Sequence, residues 1–530
     1  MSKSLPRTSI LICGTLALMT GCSVGPDYVE PSTPQPAGYS ESGPWKKADP
    51  KDDISKGDWY KIFHDSKLNE LEAQAQVTSE TLIAAVARVS EERALARQTE
   101  AAFFPAVNFE ASGSRQRTSP NNGQLLAQSP SGTPPLTVTT PGGPVTIPGS
   151  RGGGKAYTFT SATVVPFDLS YEVDIWGKIR RSFESAGDTA QASVADYENV
   201  LLGLKADVAT NYFAIRTADS EIDVQVRSIK SFQDNLNLTN SRFQGGISTQ
   251  LDVDQAEATL AAAQAQLATL RSQRATLEHA LAVLLGLPPE GFKIAYNPLD
   301  IKPPRIPAGM PSDLLERRPD VAAAERRCAA QNAKIGVAIA AYFPVVNLTG
   351  NTGFDSGDLG LLFNWQSRIW SYGPNIQFPI FEGGQISAQV KEEKASYEEN
   401  VANYRETVLT AFQNVEDSLS SLRYQADEQE AQHRAYIAYK AALDLTNARY
   451  TTGLVSYFDV IQAQGLELNA EQLDVQIAGD RIATTVQLVK SLGGGWADSY
   501  VMKPALGDHV AAPSQPPTVL TPNAEPAARP

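Results

Sequence analysis

Residues 149–155 read Gly-Ser-Arg-Gly-Gly-Gly-Lys, a spacing with which a loop can cradle phosphate on its backbone N–H groups. Two features remove that chemistry: Ala156 stands where a Ser or Thr hydroxyl would bind magnesium, and no strand-to-helix context surrounds the stretch. The four histidines, His64, His279, His433 and His509, are scattered, and none has a metal-ligand spacing such as HExxH. Asp168, Glu172 and Asp174 resemble carboxylates set for acid–base work, but at alternate positions of one strand they more simply form one polar face. No enzyme, metal site or cofactor is expected.

The residues with informative spacing lie elsewhere. The segment Ser-Arg-Phe-Gln-Gly-Gly-Ile-Ser-Thr-Gln-Leu-Asp-Val-Asp-Gln at 241–255 returns 207 positions later, so that Arg242 falls on Arg449, Phe243 on Tyr450, Gly246 on Gly453, Asp252 on Asp459 and Gln255 on Gln462. The same offset carries Gly177, Tyr197 and Arg216 onto Gly384, Tyr404 and Arg423, and Leu285-Gly286 onto Leu492-Gly493. The chain is an internal duplication. In each copy glycines supply the positive φ that ends one helix, and Ser248, Thr249 or Ser456 can cap the next. Asp252 and Asp459 then fall in a first helical turn, where the helix dipole favours negative charge.

The net charge of −14 argues against nucleic acid as a partner. At the start, Lys3 and Arg7 precede an apolar run at 10–19 and the small-residue site Met19-Thr20-Gly21-Cys22, the arrangement of an export signal. It resembles a bacterial lipoprotein signal, in which Cys22 becomes the lipidated first residue of the mature chain and Ser23 after it favours the outer membrane. Cys13 would leave with the signal, so Cys328 remains alone, an inert helix residue with no disulfide partner. Beyond residue 22 no apolar run reaches about 18 residues, so strands must do any membrane crossing.

The expected order is a signal peptide at 1–21, an extended arm at 22–60, a first repeat at 61–289, a Pro-rich linker at 290–312, a second repeat at 313–496 and a tail at 497–530 that is disordered at its end. The first repeat opens with a helix over about 66–102. Period-two strands follow, with Val107, Phe109 and Ala111 on one face, and later Val165 to Ile175 at alternate positions. The Gly/Pro/Ser/Thr stretch between them, roughly 116–155, is expected as a mobile loop. A helix of some 65 residues, about 100 Å long, runs to residue 243 and meets a Leu- and Ala-rich partner. The second repeat presents strands bearing Val346, Leu348, Tyr372, Ile376, Phe378 and Ile380, then helices at about 384–450 and 457–492. The fold class is mainly α with membrane β: four strands per chain plus long coiled helices. Four strands cannot close a barrel, and lipid tolerates no open edge, so several chains must share one.

Leu-Leu-Glu-Arg-Arg-Pro-Asp-Val-Ala-Ala-Ala-Glu at 314–325, the 452–464 turn, Leu-Gly-Gly-Gly-Trp at 492–496 and Cys-Ser-Val-Gly-Pro-Asp-Tyr at 22–28 together resemble the lipoprotein branch of the TolC-like outer membrane efflux proteins. The resemblance covers about 22–496. It implies a homotrimer with a 12-stranded β-barrel joined to a periplasmic α-barrel, lipid-anchored at Cys22 in the outer membrane. It also implies a passive exit duct for small molecules that works with a periplasmic adaptor and an inner-membrane pump. Carried over, Asp252 and Tyr450 match a pair that holds neighbouring helices closed, Asp459 and Gln462 an acidic ring, and Phe458 a hydrophobic constriction. Gln462 replaces a frequent aspartate and Val455 an arginine of some members, so the gate is expected to lean on Phe458. The alternatives are a channel for type I protein secretion and, from a different class, a periplasmic adaptor or scaffold lipoprotein. The duplicated strands argue against the adaptor.

Overall fold

The computed structural model describes residues 23–33, 58–117, 136–140, 143–147, 158–300, 303–304 and 318–494. The signal at 1–21, Cys22, the 149–155 loop, most of the Pro-rich linker, Trp496 and the 497–530 tail lie outside the described residues.

The first repeat contains α1 (Ser66–Thr78), α2 (Glu80–Glu100), β1 (Ala106–Arg117), β2 (Leu136–Thr140), β3 (Gly143–Ile147), β4 (Thr158–Glu172), α3 (Lys178–Gln244) and α4 (Gln250–Leu284). The second contains α5 (Pro319–Ala340), β5 (Val345–Ser356), β6 (Arg368–Gln377), α6 (Gln385–Thr451) and α7 (Tyr457–Ser491). All four bounds of α3 and α4 shift by 207 onto those of α6 and α7: 178 to 385, 244 to 451, 250 to 457 and 284 to 491. The pairs are 67 and 35 residues long in both copies. At about 1.5 Å per residue, α3 and α6 each span roughly 100 Å. None of the described helices is long and apolar enough to cross a membrane.

β1, β4, β5 and β6 form one antiparallel sheet in the order β1-β4-β5-β6. Its outer strands, β1 and β6, each have one side unpaired. Phe109, Phe167, Trp370, Tyr372 and Ile376 stand exposed on it, the surface expected of strands that meet lipid. Bulges interrupt the β1–β4 register between Asn108 and Glu110 and the β4–β5 register between Val164 and Phe167.

Four expectations need correction. The helix expected over 66–102 breaks at Ser79, whose backbone is extended (φ −68°, ψ 120°). The end of α4 presses on that point: the Thr78 hydroxyl donates to Leu285 O at 2.5 Å, and a Cβ on Gly286 (φ +66°) would stand 2.0 Å from Thr78 O. Within the stretch expected as loop, β2 and β3 pair as a hairpin, Thr140 opposite Gly143, because Thr137, Val138, Thr139, Val145 and Thr146 favour extended backbone. Phe378 and Ile380 lie beyond β6: Pro379 has no N–H to give a ladder, and Gly383 and Gly384 turn the chain into α6 with positive φ. Asp174 lies past the end of β4 and serves α3, accepting from Ile179 N at 3.1 Å and Arg180 N at 3.0 Å, while Glu172 pairs with Lys178 at 3.0 Å.

The main core lies at the waist, where a 3-10 turn, Trp59–Phe63, and α1 pack on α3, α6 and α7 through Trp59, Phe63, Leu68, Phe213, Val408 and Ile482. The linker is pinned beside it: Arg274 bonds Asp219 and Glu278, and Glu278 accepts from Ile294 N at 2.9 Å. Residues 23–33 are strapped along the helices. Val24 N donates to Trp176 O at 3.0 Å, Asp27 meets Arg181 at 2.7 Å, Tyr28 donates to Glu325 at 2.7 Å and Tyr404 to Glu30 at 3.2 Å. Cys328 is fully buried.

Candidate functional site

The two helix hairpins turn in the same way. At the end of α3, Gly246 N donates to Phe243 O and Ile247 N to Arg242 O, each at 2.9 Å, with Gly246 at φ +70°. At the end of α6, Gly453 N donates to Tyr450 O at 3.0 Å and Leu454 N to Arg449 O at 2.9 Å, with Gly453 at φ +76°. These paired bonds back to the last turn occupy carbonyls that a helix end otherwise leaves open.

Each following helix starts on a Ser or Thr with an aspartate three residues on. Asp252 Oδ2 accepts from Thr249 N and Thr249 Oγ1, both at 2.9 Å, and from Ser248 Oγ at 3.1 Å. Asp459 Oδ2 accepts from Ser456 N at 2.9 Å and Ser456 Oγ at 2.7 Å. Partial burial pushes the Asp252 pKa up, but the bonds from Thr249 and Ser248 and the Arg242 charge outweigh it and hold the carboxyl below its ordinary value. The Ser456 bonds do the same for Asp459. Both carboxylates are therefore ionised at neutral pH.

Tyr450 ties the two hairpins together. Arg242 Nη1 donates to Tyr450 O at 2.8 Å, and its guanidinium lies 4.5 Å from the centre of the Tyr450 ring. The Tyr450 hydroxyl is 3.4 Å from Thr239 Oγ1, and its ring centre is 5.6 Å from that of Tyr457. Tyr450, Tyr457, Val460 and Ala256 form a small buried cluster of their own. Burial, with the nearby Tyr450 and Asp252, pushes the Tyr457 hydroxyl up to about 12, so it stays protonated.

The site residues expected from sequence separate into two groups. Tyr450 is buried, and Asp252 is half-buried within its own cap; within one chain the two do not hydrogen-bond to each other. Phe458, Asp459 and Gln462 stand exposed, with Phe458 and Gln462 four residues apart and so on one face of α7. Cys22 is outside the described residues, but Ser23 beside it sits against Gly177, where a Cβ would come 2.7 Å from Ser23 Oγ. Sequence reasoning missed Arg242, Thr239 and Tyr457 as the groups that seat Tyr450. One signal was available: an arginine at the same place, 242 and 449, in both copies.

The chain matches the family model described as outer membrane efflux protein over residues 71–287 and 310–494. It is 31% identical to the probable efflux pump outer membrane protein TtgC of Pseudomonas putida, over 94% of this chain and 96% of that one. It is 28% identical to the cation efflux system protein CusC of Escherichia coli, over 93% and 99%. Among solved structures, the outer-membrane channel OprN aligns with a TM-score of 0.77 at 29% identity, covering 90% of this chain and all of that one. The Campylobacter jejuni CmeC outer membrane channel aligns with a TM-score of 0.79 at 26% identity, covering 90% and 96%.

Proposed function

The chain belongs to the outer membrane efflux protein family, and from that premise we propose that it forms the outer-membrane exit duct of a tripartite efflux system, gated at its two helix turns. The observation that carries this reading is a four-stranded sheet with two open edges, continued by two hairpins of roughly 100 Å. In lipid those edges must be paired, and copies of the same chain supply the missing strands. Three copies give twelve strands and a pore wide enough for small molecules. The helices extend this duct into the periplasm towards an adaptor and an inner-membrane pump. Cys22, lipidated, anchors the chain to the membrane. Its neighbour Ser23 sits at Gly177, next to Trp176, whose ring stacks on Phe343 at 4.6 Å.

The family and the relatives above are channel proteins, and the duct itself performs no chemistry in this reading. Small molecules are its cargo. At the turns, Phe458 narrows the bore and Asp459 sets a ring of negative charge, three per trimer, with Gln462 beside it. Asp252 and Tyr450 belong to the closure of neighbouring helices. Single-channel conductance in planar bilayers tests the gate. The wild type should conduct little at rest, with a sharp rise in Phe458→Ala and a smaller one in Asp459→Ala. A large wild-type pore indifferent to both substitutions would leave the channel standing and remove this gate.

A further inference from the structure

Arg242, on the first hairpin, grips the backbone of the second hairpin's turn. Its partner, Tyr450 O, also accepts from Gly453 N at 3.0 Å, so the Arg242 bond and the turn of α6 share one acceptor. The guanidinium covers the Tyr450 ring, the ring meets Tyr457, and Tyr457 immediately precedes Phe458. Contacts thus run without a gap from the last turn of α3 to the first turn of α7. The duplicate arginine, Arg449, is exposed, and its following aromatic, Phe243, is 40% exposed and has no hydroxyl. Arg242 Nε is buried without a hydrogen-bond partner among the described residues, so this packing of the two hairpins holds a donor that water would satisfy once they part.

We propose that Arg242 is the positioning residue of the gate, a releasable latch that pins the end of α6 to α3 and thereby sets where α7 presents Phe458 and Asp459. The inference rests on the gate reading given above and adds the group that holds the gate residues in place. A swing of α6 away from α3 breaks the bond to Tyr450 O and slides the ring from beneath the guanidinium in the same movement. The flat, forked guanidinium is required, because a lysine ammonium on its flexible stem can bond the carbonyl or approach the ring but cannot hold both in one fixed plane.

Resting conductance of the full-length assembly in planar bilayers tests this, with assembly of each variant checked on unheated gels. Arg242→Ala should raise the resting open fraction roughly tenfold, as loss of one stacked, hydrogen-bonded guanidinium implies. Arg242→Lys, which keeps the charge and the fold, should come close to it. Arg449→Ala should stay at the wild-type level. If Phe458→Ala opens the pore and Arg242→Ala does not, Arg242 merely packs and the latch is wrong while the gate survives. If Arg242→Lys closes as well as wild type, charge alone suffices and the stacked latch is wrong. If Phe458→Ala is also silent, the gate reading itself has failed.

Discussion

The two hairpin turns share a backbone and divide the work of the side chains. Both end on a positive-φ glycine with two bonds back to the preceding helix, and both start the next helix on a hydroxyl with an aspartate three residues on. The first turn supplies the holder, Arg242 and Thr239; the second supplies what is held, Tyr450, and the exposed pair Phe458 and Asp459. At the duplicate positions Arg449 and Phe243 are exposed, and exposed Leu251 stands where the second copy has Phe458. Duplication therefore kept what the backbone needs at a sharp bend and reassigned what the bend presents. A backbone requirement is local and recurs wherever the bend recurs, whereas a side-chain role depends on which neighbour lies across the groove.

The largest break in that comparison should come from truncating the aromatic at each turn. Tyr450 is 5% exposed, and Tyr450→Ala should cost about 3–5 kcal/mol, the usual range for a buried aromatic. Phe243→Ala, at a partly exposed position, should cost less than about 1 kcal/mol. Hydrogen exchange across 446–460 and 239–253 measures both, with loss of protection expected only in the Tyr450 variant. Equal loss in the two variants would mean that the turns are energetically alike and that Tyr450 is no anchor.

Substituting the glycines should sharpen the comparison from the other side. Gly246 and Gly453 have nearly the same φ, and neither has a neighbour closer than 4.0 Å to an added Cβ. Gly246→Ala and Gly453→Ala should therefore each cost about 1–2 kcal/mol, from backbone strain alone. The same hydrogen-exchange windows check it. A cost confined to one turn would show that the shared backbone hides a difference in strain.

Much of this frame was legible in the sequence because its causes are local. The positive-φ glycines, the caps and the 207-residue offset place α3, α4, α6 and α7 within a residue or two of their observed bounds. The four sheet strands follow from their period-two pattern, and the open edges from their number. What escaped has tertiary causes. Nothing within 66–102 marks Ser79 as a break, because the groups that impose it, Leu285 and Gly286, come some 200 residues later. Asp174 continues the alternation of β4, yet it turns to cap α3. Hairpin β2–β3 was hidden by turn-forming residues around two short runs of Thr and Val. At the site, the sequence located Tyr450 and Phe458 but not the reach of Arg242 across the groove, which requires α3 and α6 to be side by side.

The smallest difference between the turns should appear only in acid. Asp252 and Asp459 both have folded values below the ordinary 3.8. For a carboxylate depressed in this way, the contribution to the cap is complete above the unfolded value and is lost as pH falls through the lower folded one. Protection of both helix starts should thus be flat through neutral and mildly acidic pH and decline only below about 4. The two acids are held differently: Asp252, partly buried, has Thr249, Ser248 and the Arg242 charge, whereas Asp459 has Ser456 and its own backbone N–H and lies open to solvent. The first turn should accordingly keep its protection to a lower pH than the second. Asp252→Asn should remove that lag and Asp459→Asn should flatten the second turn's profile, each seen as an acid titration of amide exchange at 249–253 and 456–460. If the second turn outlasts the first, solvent-exposed hydrogen bonds to Ser456 hold their carboxylate better than the three residues around Asp252, and the ranking of the two caps is reversed.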